Sequence, residues 1–299
     1  MNGRRLPSTA ERLPQMRAEL AGYSDVGRMR DHQEDAFALP NATSLPEAYG
    51  RGLLLIVADG VGGRQAGDEA SRLAVAVTDR VFSDQWTPDI GYTLVQAIQQ
   101  ANAEIYQRGQ ESNFSGMATT IACAVVRDDR LYVAHVGDSR VYRLRAGNLQ
   151  LLTQDHSWVQ MQVQLGVLTE QEAHTHSKRH IVTRSLGLAP TVEVELQRHS
   201  LRHGDRLMLC SDGLYDLIPD VEIAAILTLS PHEACAELIR RANEAGGSDN
   251  ITVVVAVISL PTDMVVDDTV DDESTAAHPA VHLQSDEDAT SERPAVAAR

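Results

Sequence analysis

Four aspartates stand where apolar, strand-like runs begin or end. Asp59 closes LLLIVA, Asp138 follows LYVAHVG, Asp212 follows RLMLCS, and Asp249 lies in GGSDN just ahead of ITVVVAVI. The acidic pair Glu34–Asp35 in RMRDHQEDAF adds two more carboxylates. Asp-Gly is a common turn dipeptide, so any one of these says little. Together they say more. Strand ends of one sheet edge lie close in space, and carboxylates brought together repel unless cations or protons neutralise them. An all-oxygen donor set suits Mg²⁺ or Mn²⁺. No comparable cysteine and histidine cluster argues for zinc. Gly60, next to Asp59, would let its backbone carbonyl approach an ion because no side chain intervenes. Two ions about 3.5–4 Å apart can lower the pKa of a bridging water and clamp a phosphoryl group for in-line attack. Arg30 precedes Glu34 in the segment that brings in the acidic pair. Its guanidinium is the candidate grip on phosphate oxygens; the alternative is a surface or ion-paired arginine.

Other chemistries fit less well. In VADGVGGRQAG, Gly60-Val61-Gly62 is followed by Gln65 where a dinucleotide fingerprint needs its third glycine. Gly67 is followed by Asp68, not by the Lys-Ser/Thr of a P-loop. Cys235 and Arg241 match C-x₅-R, the spacing of thiolate phosphatases, but ACAELIRRA holds no glycine. It reads as mid-helix, with Cys235 a core residue.

These residues need elements to hold them. Runs rich in Val, Ile and Leu predict strands at 52–58, 119–126, 130–136, 140–145, 206–211 and 251–258. The GDS between 130–136 and 140–145 reads as a hairpin turn. Helical periodicity covers 65–82, 90–109, 156–173, 220–229 and 231–245. Consecutive strands with grouped helices argue for α+β layers against a repeating βαβ unit.

The 299 residues are 43% hydrophobic, enough for a sizeable core, and the net charge of −16 argues against nucleic acid as a partner. Residues 261–299 hold ten acidic residues against two arginines and no aromatic, which predicts a disordered acidic tail. Three cysteines suit reduced thiols in a cytoplasmic protein. The opening MNGRRLPSTAERLPQMRAEL has no apolar signal region, and no window approaches the roughly 18 apolar residues of a membrane span.

The stretches SDVGRMRDHQEDAF, VADGVGGRQAGDEAS, SGMATT, VAHVGDSRVYRL, TQDHSWV, HIVTRSLG, LCSDGLYD and GGSDNITVVV occur in the order and at the spacings of a known family. Over residues 22 to 258 the chain resembles bacterial metal-dependent phosphatases of the PP2C (PPM) family. The resemblance implies an αββα sandwich: two antiparallel sheets face to face, flanked by helices. It implies a domain over 21–260 between an N-terminal extension (1–20) and the tail (261–299). It also implies a serine/threonine protein phosphatase that uses metal-activated water at a dinuclear Mn²⁺ or Mg²⁺ centre. Asp59 would bridge the two ions, with the Gly60 carbonyl on the second. Asp212 and Asp249 would hold the first, and Glu34 would support the second. Asp138, with Asp212, would hold a weaker third. Arg30 would bind phosphate, and Asp35 would orient metal-bound water. Residues 156–180 match the family's flap, where His174 and His176 are expected to be exposed. The implied partners are phosphorylated proteins and a cognate Ser/Thr kinase, with no membrane and a monomeric state. The alternative is a pseudophosphatase that docks phosphoproteins without turnover. The chain departs from the usual pattern at Gln33 and Ala118. Val61 replaces the histidine that many eukaryotic members carry after the Asp-Gly, a proposed general acid.

Overall fold

The computed structural model describes residues 16–40, 48, 50–61 and 65–261. Its strands are β1 (Arg17–Asp25), β2 (Asp35–Ala38), β3 (Leu53–Val61), β4 (Ala118–Thr119), β5 (Ile121–Arg127), β6 (Arg130–Val136), β7 (Arg140–Arg145), β8 (Asn148–Leu151), β9 (Glu195–Ser200), β10 (Arg206–Cys210) and β11 (Ile251–Ser259). The helices are α1 (Gln65–Asp84), α2 (Ile90–Arg108), α3 (Trp158–Gln164), α4 (Glu170–Thr175), α5 (Asp212–Tyr215), α6 (Asp220–Ile226) and α7 (Pro231–Glu244). One sheet runs β1-β11-β10-β7-β8 and the other β2-β3-β5-β6-β9.

The sandwich follows from strand patterning. LLLIVA in β3 is an unbroken apolar run because both faces are covered. Leu53, Leu55 and Val57 point between the sheets, where they meet Leu207, Leu209, Val254 and Ala256 of the other sheet. Leu54, Ile56 and Ala58 point outward onto α1 and α2, against Ala70, Ala74, Leu94 and Ile98. On the far side Met208, Cys210, Val253 and Val255 pack on Leu238 and Cys235 of α7. Each buried Leu, Ile, Val or Met among them contributes roughly 1.5–3 kcal/mol by leaving water.

The structure revises three expectations. GDS is not a hairpin: β6 pairs with β5 and β9 in one sheet, while β7 pairs with β10 and β8 in the other. Gly137, at φ +105°, turns the chain across the sandwich. Leu131, Val133 and Val141 all reach the same inter-sheet core, which is why both segments look alike in sequence. The helix expected over 156–173 is two short helices parted by Gly166 at φ +69°. Finally, β1 begins at Arg17, ahead of the boundary placed at residue 20, and Met16 is already buried. The acidic segment from residue 262 onward lies outside the described residues.

Candidate metal centre

The predicted carboxylates converge, and they come from both sheets. β3 ends in Asp59 and β6 leads into Asp138; β10 leads into Asp212 at the start of α5, and Asp249 precedes β11. All four lie at or next to strand ends, close enough to act on one another's charge. β2 adds Asp35, directly opposite Asp59 in the antiparallel register. The side-chain alternation that sends Leu53, Leu55 and Val57 inward sends Asp59 to the same side.

Backbone contacts hold the ligands in place. The Asp59 N–H donates to Thr120 Oγ1 at 3.0 Å, and the Asp59 carbonyl accepts from Thr119 Oγ1 at 2.8 Å and from Thr120 N–H at 2.9 Å. The Gly60 N–H donates to the Glu34 carbonyl at 3.1 Å. A Cβ on Gly60 would lie 2.3 Å from the Gly67 carbonyl oxygen, so the position admits only glycine. Glu34 turns its carboxylate toward Gly67 on α1 and is buried. Its backbone N–H donates to Asn250 Oδ1 at 2.7 Å, while Asn250 Nδ2 donates to the Val26 and His32 carbonyls. One asparagine thus staples the 26–34 loop beside Asp249. Ser211 Oγ donates to Asp35 Oδ2 at 2.7 Å.

These carboxylates disturb one another. Desolvation, followed by Asp35, Asp212, Asp138 and Asp249, pushes Asp59 well above the usual carboxylate range. Desolvation, with Asp138 and Asp249 next, does the same to Asp212. Burial raises Asp138 to about 7, with Asp155 adding to it. Asp35 rises to about 6 for the same first reason, against the opposing hydrogen bond from Ser211. Among the described residues, Asp212 Oδ1 is sealed from solvent and has no hydrogen-bond partner. Arg30 Nη2 lies 2.7 Å from Asp249 Oδ2, on a half-exposed side chain.

This donor set fits hard divalent cations. The oxygens are carboxylates and backbone carbonyls, their mutual repulsion calls for positive charge, and Asp212 Oδ1 is a buried lone pair without a proton donor. Asp59, Asp212 and Asp249 with the Gly60 carbonyl and Glu34 are the residues that would hold the ions. Asp138 and Asp212 line one pocket together with Glu170, His174, Arg179 and His180 of the 156–180 segment.

Some residues around these carboxylates were not anticipated. Asp216 follows Asp212 by one helical turn, and its carboxylate falls within 4.8 Å of ligand atoms on Asp212 and His180. The i, i+4 spacing in SDGLYD was the available signal. Arg140 and Asp155 form a bidentate pair, Nε to Oδ1 at 3.0 Å and Nη2 to Oδ2 at 2.7 Å, with the guanidinium 3.6 Å over the Tyr215 ring. The Tyr215 hydroxyl donates to the Asp138 carbonyl at 3.0 Å. Of the histidines, His32 and His174 are exposed and His176 is half-buried against Trp158, 5.1 Å between ring centroids. The thiolate reading fails: Cys235 is fully buried, burial pushes its thiol up to about 12, and Arg241 is ion-paired to Glu222 and Glu237.

Two antiparallel sheets with an acidic, cation-demanding mouth define a metal-dependent hydrolase of the αββα class. The protein phosphatase 2C family model matches residues 31–252, and the chain belongs to that family. It is a metal-dependent protein phosphatase whose cofactor is Mn²⁺ or Mg²⁺. The chain is 37% identical over 246 residues to the serine/threonine phosphatase stp of Listeria monocytogenes, covering 78% of this chain and 92% of that protein. It is similar to the solved Mycobacterium tuberculosis serine/threonine phosphatase PstP/Ppp, with TM-score 0.73, 36% identity, and 81% and 99% of the two chains covered. A structure of the PstP catalytic domain in complex with two manganese ions matches with TM-score 0.71 at 34% identity, over 82% of this chain and 100% of that one.

Proposed function

We propose that the protein hydrolyses phosphoserine and phosphothreonine in other proteins at a dinuclear centre, and so opposes a Ser/Thr protein kinase. The observation that carries this is the convergence of Asp59, Asp212 and Asp249 around a sealed, unpartnered Asp212 Oδ1. When bound, the two ions supply an activated water and offset phosphoryl charge in the in-line displacement. The protein's part is positioning. Thr119 and Thr120 fix the Asp59 backbone; Asn250 fixes the Arg30–Glu34 loop. Arg30 donates to Asp249 at the edge of the centre, and in this reading its guanidinium takes phosphate oxygens when substrate arrives. Asp35, opposite Asp59 and held by Ser211, would orient the attacking water. Val61 stands after Gly60. The proton for the leaving hydroxyl therefore comes from elsewhere than a histidine at that position. Asp138, with Asp212, would hold a weaker third ion. The presence of every carboxylate in the set supports turnover over phosphoprotein docking alone.

No helix among the described residues is long and apolar enough to cross a membrane. We place the enzyme in the cytoplasm as a monomer acting on phosphoproteins. The test is phosphate release from a phosphothreonine peptide by full-length protein stripped with EDTA and then titrated with Mn²⁺ or Mg²⁺. Activity is expected to vanish on stripping, return with metal, and stay absent in Asp59→Ala, which should melt as a folded protein. Turnover that survives stripping and yields to thiol alkylation would overturn the metal assignment. Folded protein that binds phosphopeptide but stays silent at every metal concentration would favour the docking alternative.

A further inference from the structure

The chain reaches Asp138 through Gly137, and a single residue grips both polar groups of that glycine. The His156 N–H donates to the Gly137 carbonyl at 2.9 Å, and the Gly137 N–H donates to His156 Nδ1 at 3.1 Å. Behind Gly137 stands Thr120: a Cβ on the glycine would lie 2.6 Å from Thr120 Cγ2. The peptide that aims Asp138 is therefore backed by Thr120 and clamped from the front by His156. The imidazole is itself held. Because Nδ1 accepts from Gly137, the neutral ring carries its proton on Nε2, which faces the Glu195 Oε2 acceptor at 3.3 Å and has the Arg184 guanidinium beside it, Nη1 at 3.1 Å. The hydrogen bond from His156 is the leading cause that holds Glu195 down to about 2. Glu195 lies opposite His135 across β6 and β9, and the His135 ring stacks on His156 at 4.7 Å with 15° between planes. The His135 Nε2–H donates to the Gln154 carbonyl at 2.8 Å.

His135, His156 and Glu195 offer ligand atoms within 4.8 Å of one another, which raises the question of a second metal site. The ring geometry argues against it. Lone pairs on imidazoles lie in the ring plane, so two near-parallel rings aim theirs along parallel lines and not at one point. Nδ1 of His156 is also engaged already. The arrangement is a support: carboxylate, imidazole, peptide, then the Asp138 carboxylate.

We infer that His156, oriented by Glu195, is the positioning residue that aims Asp138, so that the third ion site beside Asp212 forms only with this pair in place. The inference rests on the reading of Asp138 as a ligand of that weaker ion. Such supporting contacts typically change metal affinity by about 10- to 100-fold when removed.

The experiment uses the full chain and three variants. His156→Phe keeps the ring and its stacking but loses both nitrogens. His156→Asn keeps an amide near the Nδ1 position, able to accept from Gly137 but too short for Glu195. Glu195→Gln keeps an acceptor for Nε2–H without the charge. Mn²⁺ binding is followed by electron paramagnetic resonance of the free ion, and Gly137 amide exchange by NMR in metal-free protein. In His156→Phe the weakest Mn²⁺ should loosen by about 10- to 100-fold, with the two tighter ions retained and the Gly137 amide exchanging faster. His156→Asn should recover most of both, and Glu195→Gln should shift the weak ion in the same direction by less. A folded His156→Phe with an unchanged Mn²⁺ isotherm overturns the inference. So does loss of all ions together without rescue by His156→Asn, which would mark a merely structural residue. If His156→Phe does not fold, an unshifted weak ion in both His156→Asn and Glu195→Gln overturns it equally. Asp138→Ala is run beside them. If that variant keeps the weak ion, the third-ion reading fails, whatever the Gly137 amide does.

Discussion

Two acidic regions border on Asp138, and the protein treats them in opposite ways. Asp155 is matched from within: Arg140 covers it with three hydrogen bonds and stacks on Tyr215, and both partners are mostly buried. Asp59 and Asp212, a short distance away, receive no such cation. Asp212 Oδ1 has no partner among the described residues, and each carboxylate pushes the others above their ordinary range. A carboxylate that the fold neutralises is part of the structure. A set that it leaves in mutual repulsion is a receptor for a cation supplied from outside. The contrast explains why an acidic cluster in this chain is not simply a solvated surface.

The sharpest way to break that contrast is to neutralise one carboxylate from each region. Asp212→Asn should lower Mn²⁺-dependent turnover by about 10³-fold or more, the scale on which one preorganised electrostatic group counts. It should leave the melting temperature of the metal-free protein at pH 8 unchanged or higher, because a repelled charge has gone. Equal turnover in wild type and variant, by phosphate release at saturating Mn²⁺, would refute the receptor reading.

The opposite change should give the opposite pattern. Arg140→Leu leaves Asp155 buried beside Asp138 without its cation, and losing one partner of a buried pair typically costs about 3–5 kcal/mol. Chemical denaturation should show a loss of that order, in contrast to Asp212→Asn. A loss near zero would mean that Asp155 is as unmatched as Asp212, and the distinction would collapse.

The same contrast explains what could be read from the residues alone. Asp59, Asp138, Asp212 and Asp249 were legible because each adjoins a strongly apolar strand buried on both faces, as in LLLIVA and ITVVVAVI. The edge strands were not. In β1, RAELAGYSD, Ala18 and Leu20 face the core while Arg17 and Glu19 face water, and among the described residues the segment pairs with β11 alone. β8 (NLQL) and β9 (ELQRHS) are likewise edge strands, whose polar outward residues dilute the pattern. Membership of a sheet was illegible for another reason. Leu131, Val133 and Val141 are apolar for the same core whichever sheet carries them. Patterning predicts which face is buried and is silent on which neighbour it pairs with. Asp216 and Asn250 went unseen because their roles depend on distances between segments far apart in the chain.

The smallest expected effect is a pH dependence, and it follows from the unmatched region alone. Asp138 and Asp35 titrate near 7 and 6 in the folded, metal-free protein, against about 3.9 for an unfolded aspartate. Between those limits the folded state binds more protons than the unfolded one. The derivative of stability with pH is then negative. Their contribution is fully present below about pH 4 and is lost as pH rises through the folded values of about 6 and 7. Melting temperature of the EDTA-treated protein should therefore fall between pH 5 and 8, by an amount that Asp138→Asn reduces. Saturating Mn²⁺ should remove the slope, since an ion at the centre meets the ionised carboxylates that protons met before. A metal-free protein whose melting temperature rises over that interval would mean that these carboxylates are matched from within after all, as Asp155 is.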